Sequence, residues 1–358
     1  MVMGVGDDLP DASEVSASVL FQTSGSTGDA KWVVLSKRAL LVSATAVNEH
    51  LGVGEDSCWG LALPLRHVGG FGVVARAYQA GCQLACFGKR WDAGAFTEWL
   101  ADEQVTHTSL VPTQVHDLVA AQVAAPASLK AVVVGGGRLD RQLGRDARRL
   151  GWPVLASYGM TEAGSQIATQ GLDALEQDYE PSPIPVLPHW QLQVGDDQLL
   201  KISGEALFSG CLVQKNREWS YCERSEAVHT TSDRVELDAT ATGVSPLGRA
   251  DLQVKVLGEL VDLEALEREL VGLSDGTISA GSLAIIAVPD PRAGCQLVPV
   301  FDAVLEKSVV EQVLLKRAAS APGYCQLQSP VFLDDFPRSE LGKPMRAVLK
   351  SRVSSADR

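Results

Sequence analysis

Apolar positions along this chain fall into short runs separated by glycine, proline and polar clusters. Residues 19–21 and 32–35 read as two strands around a small-residue loop, and Ser36 caps a helix that Gly52 ends. Apolar runs at 61–63, 83–87 and 108–111 follow, with a helical pattern over 93–102 between them. The clearest unit starts at Leu129: a buried-type strand over 131–134, three glycines, then Leu139, Leu143, Ala147 and Leu150 at helical spacing, then a strand over 153–156. Strand, helix and strand at this spacing predict a parallel crossover, whose strand ends are where ligands bind. From 171 to about 238 short alternating stretches, such as 190–194 and 199–202, predict a small antiparallel region.

A second pattern begins near Leu247. A strand over 253–257, an amphipathic helix over 261–270 with Leu263, Leu266 and Leu270 on one face, a strand over 283–288, a helix over 309–319 and a strand over 331–333 make an α+β unit. The predicted division is a large domain over 1–248 and a small one over 249–358. The predicted fold class is α/β: mixed and parallel sheets flanked by helices plus a small β region, then an α+β domain. A length of 358 residues with 46% hydrophobic content suits two cores rather than one.

Charge and cysteine usage narrow the function classes. A formal net charge of −13 disfavours nucleic acid and anionic membrane as general partners. Seven cysteines without a CxxC pair, and dispersed histidines, fit no zinc or disulfide framework, so reduced thiols are expected. The acidic N-terminus lacks the basic and apolar segments of a secretory signal, and no apolar run reaches about 18 residues. The expected location is cytoplasmic, with no membrane span; self-association stays open.

The residues with the most chemistry are Thr23-Ser24-Gly25-Ser26-Thr27-Gly28-Asp29-Ala30-Lys31. Glycines let backbone N–H groups approach a polyphosphate, and hydroxyls and one ammonium add donors. The spacing is not that of a Walker loop, and a polar hairpin turn accounts for the same residues.

Four further motifs follow in order: Ser157-Tyr158-Gly159-Met160-Thr161-Glu162, Thr231-Ser232-Asp233, Gly248-Arg249-Ala250-Asp251 and Pro337-Arg338-Ser339-Glu340-Leu341-Gly342-Lys343. With the glycine-rich segment, they resemble the signatures of the adenylate-forming superfamily of acyl-CoA synthetases, luciferases and adenylation domains. The stretches Leu63-Pro64-Leu65-Arg66-His67-Val68-Gly69-Gly70 and 157–169 look most similar to its o-succinylbenzoate–CoA ligases of menaquinone biosynthesis. The resemblance implies activation of a carboxylic acid by ATP and Mg²⁺, then thioester formation with coenzyme A.

Site roles follow from that resemblance. Thr23, Ser24, Gly25, Ser26, Thr27, Gly28 and Lys31 would hold phosphates, and Glu162 would hold Mg²⁺ beside Thr161. Gly136, Gly137, Tyr158 and Gly159 would hold adenine, and Asp233 with Arg249 the ribose. His67, Gly69 and Ser165 would line the acyl site, and Gly258 would leave room for the pantetheine arm. Lys343 would stabilise charge on the α-phosphate in the transition state. The resemblance also implies rotation of the small domain about Asp251 between the two half-reactions.

Three departures qualify the pattern. Ala30 and Trp32 flank Lys31 where the family commonly has proline and glycine, and Ser232 replaces a glycine, which requires negative φ there. The phosphate loop also lies close to Met1, whereas relatives carry a further N-terminal subdomain. The expectation is a compact variant with a differently walled acyl pocket. The alternatives are a ligase for another aryl or acyl acid, transfer to a carrier protein, and a catalytically impaired nucleotide-binding regulatory protein.

Overall fold

The computed structural model describes residues 15, 17–23, 31–215, 218–319 and 321–356; of Thr23, Lys215, Glu218 and 354–356 only the backbone is described. The chain divides into two compact units, 1–231 with 235–246, and 232–234 with 247–358.

In the first unit, strands β1 (Ser18–Thr23) and β2 (Lys31–Ser36) pair antiparallel, with Thr23 opposite Lys31. Helix α1 (Lys37–His50) follows at once, because the Ser36 hydroxyl accepts from the Ala39 N–H at 3.0 Å and caps it. Then come β3 (Cys58–Leu61), α2 (Val68–Ala80), β4 (Gln83–Cys86), α3 (Ala93–Asp102), β5 (His107–Leu110), α4 (Pro112–Ala120), β6 (Ala131–Val134), α5 (Arg141–Arg149), β7 (Val154–Tyr158) and β8 (Ala168–Thr169). Their sheet runs β4-β3-β5-β6-β7-β8, parallel from β4 to β7 and closed by an antiparallel β8. The near-continuous apolar character of β6 and β7 matches burial on both faces.

Strands β9 (Ile184–Pro185), β10 (Trp190–Val194), β11 (Leu199–Gly204), β12 (Gly210–Lys215), β13 (Glu218–Glu223), β14 (His229–Leu237) and β15 (Gly243–Arg249) supply two more sheets. One runs β10-β11-β14-β15-β9; the other joins the start of the chain to its middle as β1-β2-β12-β13. That second sheet resolves the question of Trp32. Its indole is buried with Leu20, Val34 and Leu212, and Trp219 and Tyr221 pack against the group. The opposite face, with Phe21, Val33, Leu35 and Cys211, joins the main core.

The second unit is the α+β arrangement read from the pattern. Strands β16 (Gln253–Val256) and β17 (Glu259–Asp262) form a hairpin, then α6 (Leu263–Leu273), β18 (Leu283–Asp290), β19 (Gly294–Asp302), α7 (Lys307–Ala318), β20 (Val331–Leu333) and α8 (Arg346–Ala356) follow. Alternation along β18 makes two cores. Leu283 and Ile285 meet Leu266, Leu270, Val310 and Val313 of α6 and α7, while Ala284 and Ile286 meet Leu349 and Val353 of α8.

Several elements differ from the reading of the sequence. The helix placed over 261–270 starts two residues later, because Asp262 caps it and β17 uses residues 259–262. Helices α2, α4 and α8 and strand β19 were not foreseen. Helix α2, VGGFGVVARAYQA, is glycine-rich and a poor helix former in isolation. Its packing explains it: a Cβ at Gly70 would lie 2.4 Å from the Pro64 carbonyl oxygen, so glycine allows the helix to seat against residues 63–64.

Candidate functional site

The C-terminal edge of the parallel sheet gathers most of the predicted groups of the first unit. Beyond β6, Gly136 takes a φ of +74° and packs on Val111, while Gly137 faces Pro112. Beyond β7, Tyr158 is half-buried against the core and Gly159 turns the chain. Any Cβ at Gly159 would fall 1.7 Å from the Ser165 carbonyl oxygen, so this position accepts glycine alone. Ser165 itself adopts φ +114°, a strained value for a residue with a side chain. The Ile167 N–H to Tyr158 carbonyl bond at 2.8 Å closes this tight loop.

Thr161 and Glu162 sit inside the loop on a single 3₁₀ turn, Thr161–Ala163. The Phe208 N–H donates to the Glu162 carbonyl at 2.9 Å and fixes its backbone. The Glu162 carboxylate, 20% exposed, lies 3.7 Å from the Lys31 ammonium. Because Lys31 opens β2, the pair stands beside the ends of β1 and β2, where the 24–30 segment begins and ends. The expectations for Ser24, Gly25, Ser26, Thr27 and Gly28 lie outside the described residues, and of Thr23 only its register opposite Lys31 is given.

Mg²⁺ is held through few carboxylates together with phosphate oxygens and water. Among the described residues no three His, Cys, Asp or Glu side chains assemble into a metal cage. One accessible carboxylate next to the Lys31 ammonium fits a cation that keeps oxygen ligands from elsewhere rather than one caged by the protein alone.

The acyl-site candidates surround the start of α2. His67 is its N-terminal cap residue, Gly69 lies in its first turn with Leu63 3.6 Å from a notional Cβ, and Gly72 faces the Ser165 side chain. One turn further lies a residue that the sequence reading missed. Arg76 is 2% exposed, with its guanidinium 4.4 Å over the Trp59 ring. It donates to the Gly72 carbonyl at 2.9 Å, to Gln166 Oε1 at 2.8 Å and to Ser109 Oγ at 3.3 Å. Among the described residues no carboxylate pairs with it, and burial pulls its pKa down to about 9. A buried cation without a counter-charge is costly unless hydrogen bonds, ring stacking or an anion offset its desolvation. The only trace in the sequence was a lone arginine within an apolar, glycine-rich stretch.

Two more residues were missed. His229 sits edge-on to the Phe208 ring at 5.0 Å; burial lowers its pKa, Glu162 opposes, and Lys31 and Arg224 add to the lowering. Cys211 abuts Lys31 from the neighbouring strand: burial raises its thiol pKa and Lys31 pulls it down. Neither residue belongs to a recognisable motif, since β12 and β14 meet Lys31 only through folding.

In the second unit, Arg249 is shared between two acids. It donates to Asp251 at 2.9 and 2.8 Å and to Asp233 Oδ1 at 3.3 Å, and these contacts raise its pKa, the Asp251 bonds most. Ser232 lies within β14 and is not among the positive-φ residues, which meets the condition its replacement of glycine imposed. Lys343 sits at the end of a tight turn: its N–H donates to Ser339 Oγ at 3.2 Å, the Ser339 N–H donates back to its carbonyl at 2.8 Å, and Gly342 takes φ +72°. Arg338 anchors this turn to the Gly281 carbonyl at 2.7 Å and to Asp302 at 2.5 Å. Lys343 keeps exposed surface along its side chain, but desolvation lowers its pKa; Glu264 opposes this, Arg249 adds to it and Asp233 opposes it. Gly258 is the second residue of the β16–β17 turn, with φ +89° and open space around it.

These sites can be compared with known proteins. Residues 6–215, more than half of the chain, match the family described as AMP-binding enzyme. The chain is 26% identical over 366 aligned positions to the 2-succinylbenzoate–CoA ligase of Enterococcus faecalis, covering 98% of this chain and 71% of the relative. A similar protein of the same name from Bacillus mycoides is 26% identical, over 94% of this chain and 70% of its own length. Among solved structures, an E. coli MenE with bound OSB-AMS superposes with a TM-score of 0.73 at 25% identity, covering 94% of this chain and 68% of that one. The o-succinylbenzoate coenzyme A synthetase of Bacillus subtilis in complex with ATP and magnesium ion shares the fold, with a TM-score of 0.75 at 23% identity over 93% of this chain and 69% of that one. The chain belongs to the AMP-binding enzymes.

Proposed function

We propose that this protein is an AMP-forming acid–CoA ligase whose acid is 2-succinylbenzoate. Similarity along 98% of the chain to a protein of that activity supports the reading. The observation that carries the choice of acid is Arg76, a buried guanidinium without a carboxylate partner among the described residues, which meets the predicted acyl-site residue Ser165 around Gly72. 2-Succinylbenzoate carries two carboxylates. One is activated; the other stays anionic and matches the charge of the Arg76 guanidinium near Gly72 and Ser165.

In the first half-reaction a carboxylate oxygen attacks the α-phosphorus of ATP, and pyrophosphate leaves. Lys31 and the 23–28 loop hold the phosphates, with Glu162 and Thr161 next to them; Glu162 would hold Mg²⁺, which would supply charge neutralisation at the phosphates. Tyr158, Gly159, Gly136 and Gly137 hold the base, and Asp233, oriented by Arg249, accepts from the ribose hydroxyls. Lys343 supplies an ammonium to the α-phosphate as negative charge builds on its oxygens, an interaction worth most in the transition state. His67 and Gly69 shape the entry to the acyl pocket. In the second half-reaction the thiol of coenzyme A attacks the acyl carbonyl and AMP leaves, with Gly258 giving the pantetheine arm passage. The domain carrying Lys343 is residues 249–358.

The test is direct. Exchange of labelled pyrophosphate into ATP should depend on 2-succinylbenzoate, and adding coenzyme A should yield the thioester and AMP. ATP binding without exchange for this acid or any related aryl or acyl acid would refute the enzyme reading and favour a nucleotide-binding regulator.

A further inference from the structure

Cys211 of β12 and Cys222 of β13 stand directly opposite each other in the antiparallel pair. Opposed residues of such a pair point to the same face, and their Cα atoms lie about 4.5 or 5.5 Å apart. Both spacings fall within the roughly 4.4–6.8 Å that a disulfide spans. Cys222 is exposed and Cys211 is buried, and both are free thiols. The other side of β12 is paired to β2, where Lys31 lies diagonal to Cys211 and its ammonium reaches the sulfur. We propose that Cys211 and Cys222 are a thiol pair oxidised by hydroperoxides, and that the disulfide disturbs phosphate binding through Lys31. The second half of this rests on the reading of Lys31 as a nucleotide ligand.

The chemistry balances in two steps. The exposed Cys222 thiol attacks a hydroperoxide, the O–O bond breaks, and Cys222 becomes a sulfenic acid with release of water or alcohol. The Cys211 sulfur then displaces the sulfenic hydroxyl, an S–S bond forms and water leaves. Two thiols are oxidised and one peroxide is reduced. Burial makes Cys211 the resolving partner and exposure makes Cys222 the attacking one. A bond to Cys222 turns the Cys211 sulfur along β12–β13 and removes its proton, so Lys31 loses this neighbour while Glu162 stays 3.7 Å away.

The experiment treats the reduced full-length protein with hydrogen peroxide, blocks remaining thiols with iodoacetamide and digests with trypsin. Cleavage after Lys215 and Arg217 leaves the two cysteines on separate peptides, so the bond is read as a cross-linked pair by mass. A fluorescent ATP analogue is titrated in parallel. The expected result is the Cys211–Cys222 linked pair, with affinity for the nucleotide falling about fivefold, the worth of one net hydrogen bond. Dithiothreitol should restore affinity, and Cys222→Ser should bind as the reduced protein does and stay unchanged by peroxide. A linkage elsewhere, such as Cys58 to Cys82, or no linkage, overturns the pair. Linkage with unchanged affinity, or an equal loss in Cys222→Ser, overturns its action on Lys31. Failure of the reduced protein to bind ATP overturns the nucleotide reading itself, while the linked-peptide measurement still decides the pair.

Discussion

Replacing Arg76 by Met separates the cost of a buried charge from its use. Methionine keeps length and apolar contact but removes the cation. Burial lowers the Arg76 pKa several units below the usual guanidinium value, to about 9. At about 1.4 kcal/mol per pKa unit, holding that charge in the fold costs about 5 kcal/mol. Against this stand three hydrogen bonds at about 1.5 kcal/mol each and stacking on Trp59 at about 1–2 kcal/mol. The two sides nearly cancel, so Arg76→Met should change folding stability by no more than about 2 kcal/mol in a urea titration. Loss of a buried partner for a substrate carboxylate costs about 2–5 kcal/mol. The KM for 2-succinylbenzoate in pyrophosphate exchange should therefore rise by about 30-fold or more. The KM for ATP should hold, and an analogue without the aromatic carboxylate should be used equally by both proteins. A variant that loses more than about 4 kcal/mol of stability while keeping wild-type preference for the second carboxylate would show that Arg76 is purely structural.

Other perturbations give sharper yes-or-no readings. Lys343→Ala should lower adenylation by about 100-fold or more while nucleotide affinity stays within about threefold, since its ammonium acts on developing charge; equal losses in rate and affinity would make it a binding residue. Gly159→Ala puts a Cβ 1.7 Å from a backbone oxygen and should abolish exchange and lower the melting temperature, and a normally active variant would contradict the loop geometry. His107 is fully buried, and its pKa is depressed to about 4, first by burial. The unfolded chain then takes up a proton before the folded one, so stability is present above about pH 6.5 and drains as pH falls toward 4. Relative to His107→Gln, the wild type should lose about 2 kcal/mol between pH 7.5 and pH 5.0 in urea titrations; a constant gap would refute the assigned pKa.

The amino-acid sequence determined the local pieces and the chemistry they carry. Apolar runs and caps placed β6, α3 and β20 at their observed residues, because a short buried strand or a capped amphipathic helix is dictated by its own side chains. The five ordered motifs carry the resemblance to adenylate-forming enzymes, because their residue types are written in the sequence whatever the fold. Other features depend on partners distant in the chain. Helix α2 exists despite three glycines in its first half because residues 63–64 accept its close approach, and local propensity holds no record of that contact. Arg76 gains its meaning only when Trp59, Ser109 and Gln166 close around it and water is excluded. Cys211 reaches Lys31 only because a sheet joins strands nearly two hundred residues apart, and long-range strand pairing is decided by the burial of whole faces rather than by the residues that meet.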